Sequence, residues 1–86
     1  MDINELIAIV KKKLQNNIDI KNIVVEDKSF LHKNHPGNQI GKFHLKITLE
    51  SDELKNISKI EGNKKIYKIL DKEMKGYIHS IQISIT

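Results

Sequence analysis

Apolar and polar positions along the chain change period several times, and each change marks an element. Ile3, Leu6, Ile7, Val10 and Leu14 recur at one-face helical spacing. Asp2 followed three residues later by Glu5 gives the spacing of a capping box at the start of that helix. The polar Gln15, Asn16 and Asn17 close it. Residues 20–27 turn β-branched with imperfect alternation, which predicts a strand with a bulge or bend around Asn22. Phe43, Leu45, Ile47 and Leu49 alternate cleanly with His44, Lys46 and Thr48, predicting a second strand. Ser51 with Asp52 and Glu53 starts a short helical segment carrying Leu54, Ile57 and Ile60, and Glu61, Gly62 and Asn63 are expected to break it. Ile66, Ile69, Leu70 and Met74 then predict one amphipathic helix over 64–75, with Gly76 as its C-cap. Ile81, Ile83 and Ile85 alternate with serine and glutamine in a last strand. His79 falls in phase with these isoleucines, an ionisable residue opening an apolar face.

The segment between the first two strands, residues 28–41, is broken by Pro36, Gly37 and Gly41 and predicts a long loop. Strands joined without a helix pair antiparallel most simply. A strand that follows a helical crossover lies parallel to its neighbour. If that neighbour is the strand at 43–49, His79 begins its strand beside Phe43 and His44, at the sheet end where the loop arrives. Three of the four histidines, His32, His35 and His44, lie in the loop or at its exit. The order α-β-β-α-α-β predicts an α/β (α+β) domain over residues 1–86, with a three-stranded mixed sheet covered by helices on one face.

Composition narrows the chemistry. With 86 residues the core is thin, and with no tryptophan the packing falls to branched aliphatics. No cysteine is present, so disulfides and thiolate chemistry from this chain are excluded, in keeping with a cytoplasmic setting. No apolar run is long enough to span a membrane, and the acidic Asp2 and Glu5 argue against a transit peptide. The net charge is +4 and every basic residue is lysine. Lysine neutralises phosphate but lacks the bidentate arginine contact to guanine, so any DNA binding is expected to be weak and salt-sensitive. A coding bias toward lysine, asparagine and isoleucine would produce the same charge.

Three classes of function remain. The histidines could form a metal or cluster site, with His32 and His35 in H-x-x-H spacing. Two imidazoles can replace two thiolates on one iron of a [2Fe–2S] cluster, and without cysteine the thiolates must come from another molecule. Alternatively, Lys64, Lys65 and Lys68 on the helix at 64–75 could meet nucleic acid, although the G-x-x-G clamp of KH domains is missing between the helices. No nucleophile motif, phosphate loop or paired carboxylate points to an enzyme.

Three stretches resemble the BolA family: VVEDKSF at 24–30, GKFHLKITLES at 41–51 and IYKILDKEMKGYIHSIQI at 66–83. The last is the most specific, through the spacing of Tyr67, Leu70, Glu73 and His79. The resemblance implies a KH-like (class II) fold and a role in stress response and iron handling. It also implies a monothiol glutaredoxin as partner, with a [2Fe–2S] cluster held by a glutaredoxin cysteine, a glutathione thiol and histidine from this chain. The ligands it implies are His79 and His35, with His32 as the rival and His44 nearby. It further implies a non-enzymatic adaptor that is a monomer or weak homodimer when free. Gly62, Asn63 and Lys64 stand where the family usually carries Arg-His-Arg. That departure weakens the runner-up reading of a DNA-binding regulator.

Overall fold

A computed structural model describes residues 1–29 and 42–86. The first element is α1 (Ile3–Asn17), whose Asp2 side chain accepts a hydrogen bond from the Glu5 amide at 2.8 Å. Leu6, Val10 and Leu14 on one face of α1 are fully buried. Three strands follow: β1 (Asn22–Asp27), β2 (Phe43–Glu50) and β3 (Ile78–Ile85). The sheet order is β1-β2-β3, with β1 and β2 antiparallel and β2 and β3 parallel, as the crossover argument requires.

The described helices cover one sheet face. Ile23 and Val25 of β1, with Leu45, Ile47 and Leu49 of β2, meet α1 and the helices of the crossover in a single core. Val24, one residue out of phase, is exposed on the other face. Burying each such aliphatic side chain stabilises the fold by about 1.5–3 kcal/mol. A core built from so few layers depends on each of them.

The predicted bulge near Asn22 is absent. β1 pairs in unbroken register from Asn22–Glu50 to Asp27–Leu45. The irregularity lies between β2 and β3 instead, where Phe43 pairs with Ile78 but His44 pairs with Ser80. His79 is the extra residue, so β3 is bulged at its start.

The crossover also differs from the expected pair of helices. Ser51 caps α2 (Asp52–Lys55), and Ser58 caps α3 (Lys59–Ile69) by accepting from the Glu61 amide at 3.1 Å. The helix runs straight through Glu61, Gly62 and Asn63 rather than breaking there. Glycine costs about 1 kcal/mol against alanine inside a helix, and packing overrides that cost here. A Cβ on Gly62 would sit 3.3 Å from Ile85 Cδ1, so the missing side chain lets α3 approach β3 closely. The single helix predicted over 64–75 is divided at Leu70, and α4 (Asp71–Gly76) follows. Leu70 is fully buried, and its non-helical backbone redirects the chain toward β3. Gly76 is the last residue of α4, with Tyr77 rather than Gly76 at the cap. Glu73 of α4 is tied back to α1 through Lys13 Nζ at 2.6 Å.

Ser51 joins three parts of the fold. Its hydroxyl donates to the Asp19 carbonyl at 2.7 Å and accepts from the Leu54 amide at 3.3 Å, while its own amide donates to the Thr86 carbonyl at 3.1 Å. It is fully buried. Ser51→Ala removes the cap and strands the Asp19 carbonyl, so a loss of about 1–3 kcal/mol is expected in urea unfolding.

The carboxyls of α2 carry a pH signature. The Lys65 hydrogen bond, then that from the Asp19 amide, holds Glu53 below its ordinary value, and Lys21 does the same for Asp52. Depressed carboxylate values stabilise the fold above the ordinary carboxylate range, and that contribution disappears as pH falls through the lowered values. Asp52 is exposed and Glu53 half-buried, both within reach of solvent screening, so the effect is small. Protection of the Asp19 amide, taken relative to its intrinsic exchange rate at each pH, is expected to fall on acidification in wild type and to be less pH-dependent in Glu53→Gln.

Candidate functional site

The histidine site is assembled outward from the end of β1. The Asp27 carboxylate accepts from the Ser29 amide at 2.9 Å, closing a turn. The Ser29 hydroxyl then accepts from the His44 amide at 3.1 Å, and the His44 carbonyl accepts from the Lys28 amide at 2.7 Å. The His44 backbone is thereby fixed from the β1 side. Its ring is fixed from the β3 side, with Nδ1 2.8 Å from the Ser80 hydroxyl. His44 is 6% exposed.

The bulge supplies the second imidazole. Its extra residue allows Ile78 and Ile81 both to turn toward the core, whereas strict alternation would place them on opposite faces. His79 is left exposed, off the isoleucine face. The in-phase placement read from the sequence is therefore corrected: Ile78, 1% exposed, opens the apolar face of β3, and His79 does not. The His79 and His44 ring centroids lie 4.8 Å apart, with the ring planes tilted by 53°. One exposed imidazole and one nearly buried imidazole thus share the start of the parallel pair.

This geometry matches the expectation that His79 and His44 meet at one end of the sheet. His35 and His32 lie outside the described residues. Among the described residues no cluster of three or more histidine, cysteine, aspartate or glutamate side chains could enclose a metal ion by itself. The two imidazoles supply nitrogen donors, and the chain has no cysteine. The donor set suits a group that brings thiolates of its own and uses this chain for nitrogen ligation. An exposed ring at a strand end can reach such a group across an interface.

The sequence does not single out Ser80. It became relevant only through the register that sets it opposite His44, and a bare serine in a strand carries no signal of that kind. The bulge was marked by the Ile78-His79-Ser80-Ile81 spacing, where two apolar residues stand three apart inside a period-two segment.

The lysines divide differently from expectation. Lys64 and Lys68 are exposed on α3, but Lys65 donates to Glu53 Oε2 at 2.6 Å and is half-buried. Of the three, Lys65 is engaged in holding α2 to α3, so the predicted cationic row is interrupted. No described helix is long and apolar enough to cross a membrane.

Ser80→Ala deletes the side-chain partner of His44 Nδ1. A loss of about 1 kcal/mol in stability is expected. The His44 ring nitrogen resonances should move in the same variant while those of the core amides near Ile47 stay in place.

The sequence model for BolA-like protein matches residues 14–86. A curated relative from Haemophilus influenzae, the DNA-binding transcriptional regulator BolA, is 27% identical over 77 residues, covering 90% of this chain and 72% of that protein. SufE-like protein 1, chloroplastic/mitochondrial, of Arabidopsis thaliana is 27% identical over 79 residues, covering 86% of this chain and 21% of that longer protein. The solved BolA domain of SufE1 from Arabidopsis thaliana superimposes with a TM-score of 0.82 at 25% identity, covering 99% of this chain and 94% of that one. BolA1 from Arabidopsis thaliana has the same fold, with a TM-score of 0.76 at 20% identity and coverage of 93% and 88%.

Proposed function

The chain belongs to the BolA-like family, and from that premise we propose that it is an adaptor that pairs with a monothiol glutaredoxin and helps to ligate a [2Fe–2S] cluster. The observation that carries this reading is the pair of imidazoles at the β3 bulge, one exposed and one fixed, with ring centroids 4.8 Å apart. His79 is the ligand from this strand end. His35 is the second ligand, from the segment that joins β1 to β2, and His32 is its rival. His44 neighbours the site, its ring held by Ser80. The cluster, when bound, supplies iron sites that accept nitrogen in place of sulfur, and the thiolates come from the glutaredoxin and its glutathione. This chain's part is to present imidazole at a fixed place, without catalysis of its own. Such an adaptor serves cluster trafficking or iron and stress regulation in the cytoplasm.

A second reading is DNA binding, favoured by the printed name of the Haemophilus influenzae relative. It would rest on Lys64 and Lys68, because Lys65 is engaged by Glu53. Binding of equal strength to all duplexes, fading as salt rises, would reduce this reading to lysine electrostatics. A sequence preference that survives salt would support it.

The adaptor reading is tested by mixing the protein with glutaredoxin, glutathione, iron and sulfide and recording visible absorption and circular dichroism. A heterocomplex spectrum distinct from that of glutaredoxin alone is expected. His79→Ala should abolish that distinction. His35→Ala should alter the spectrum more than His32→Ala. Variants with unchanged spectra would remove the ligand assignment.

A further inference from the structure

At the far end of β3 from His79 lies a second feature, which the cluster reading does not use. The strand order leaves β3 with one side unpaired among the described residues. The pairing parity identifies the groups on that side. Thr86 donates its amide to the Leu49 carbonyl and accepts from the Ser51 amide, so the backbone groups of Thr86 and Ser84 face β2. Those of Ile81, Ile83 and Ile85 therefore point outward. The Ile81 carbonyl accepts from the Tyr67 hydroxyl at 3.4 Å. Beyond that contact, an open groove of about 320 Å³ runs along Ile83 and Ile85, walled by Leu54 and Ile57 and flanked by Lys55 and Lys59. Asn63 also lines it.

Three observations fix the chemistry of what fits there. The outward amides and carbonyls of Ile83 and Ile85 repeat at the two-residue spacing of an extended chain. Asn63 Oδ1 is buried without a hydrogen-bond partner and needs a donor. Lys55 and Lys59 form no ion pair among the described residues, so the rim is cationic. Ile57, on the groove wall, leaves apolar surface exposed.

We propose that this groove receives an extended, acidic segment of a partner protein, which adds to the free edge of β3 as a further strand. The segment's N–H groups supply donors that the edge carbonyls and Asn63 Oδ1 lack, and its carboxylates meet Lys55 and Lys59. A phosphate backbone offers only acceptors and cannot satisfy the asparagine oxygen. Pairing with a second copy would bring the lysines of both copies together, which like charges oppose. The groove begins about 13 Å along the strand from His79, so an occupant here leaves the imidazoles accessible.

The test titrates isotopically labelled protein with a short capped peptide alternating glutamate and valine. The amides of Ile83 and Ile85 are expected to shift and to exchange roughly tenfold more slowly. Combining Lys55→Glu with Lys59→Glu should weaken binding by about tenfold or more. Ile83→Pro, tolerated on an edge strand, should remove binding while the His44 and His79 signals stay in place. Equal binding of a lysine–valine peptide, or of a short oligothymidylate at the same amides, would overturn the proposal. So would shifts of Ile83 and Ile85 that follow protein concentration alone.

Discussion

A β-strand gives its side chains to two faces in alternation, and β3 breaks that rule once, at its first residues. The core requires Ile78 beside Phe43 and Ile81 beside Leu45, a spacing that regular alternation forbids. The extra residue absorbs the conflict. It lets both isoleucines face the helices and turns His79 out toward the ring of His44. The apolar packing and the exposed imidazole are thus consequences of a single register shift.

The rest of the chain holds that shift in place. α4 delivers the chain to Ile78 from a turn at the buried Leu70, and its Glu73 is tied to Lys13 of α1. On the other side, Asp27 and Ser29 hold the backbone of His44 from the end of β1. The site is therefore supported by elements from both ends of the sequence. α3 comes close to β3 where Gly62 lacks a side chain, and the outer edge of β3 is open to a groove among the described residues. One strand thereby presents two different chemistries, an exposed imidazole at its start and, among the described residues, unpaired backbone beside lysines at its end.

Much of this was legible in the residues. The alternation of Phe43, Leu45, Ile47 and Leu49 fixed the central strand, and the crossover argument fixed its parallel neighbour, because both rest on burial by one face. The approach of His79 to His44 followed from that topology. The bulge escaped because alternation after Ile81 is so regular that it draws His79 into phase, and only the core's need for Ile78 reveals the slip. Gly62 read as a helix breaker because glycine's local cost is visible in sequence, while its close approach to Ile85 is a tertiary fact. Lys65 read as one of three equivalent lysines, and its pairing with Glu53 depends on how α2 docks against α3.

The proposed ligation of iron by imidazole of this chain is tested most directly by pulsed electron paramagnetic resonance on the reduced heterocomplex. The protein would carry ¹⁵N only in its histidines, with glutaredoxin and glutathione at natural abundance. Strong ¹⁵N hyperfine coupling, lost or diminished in His79→Ala, is the expected result. A cluster spectrum without ¹⁵N coupling, in a complex that still contains this chain, would contradict the account.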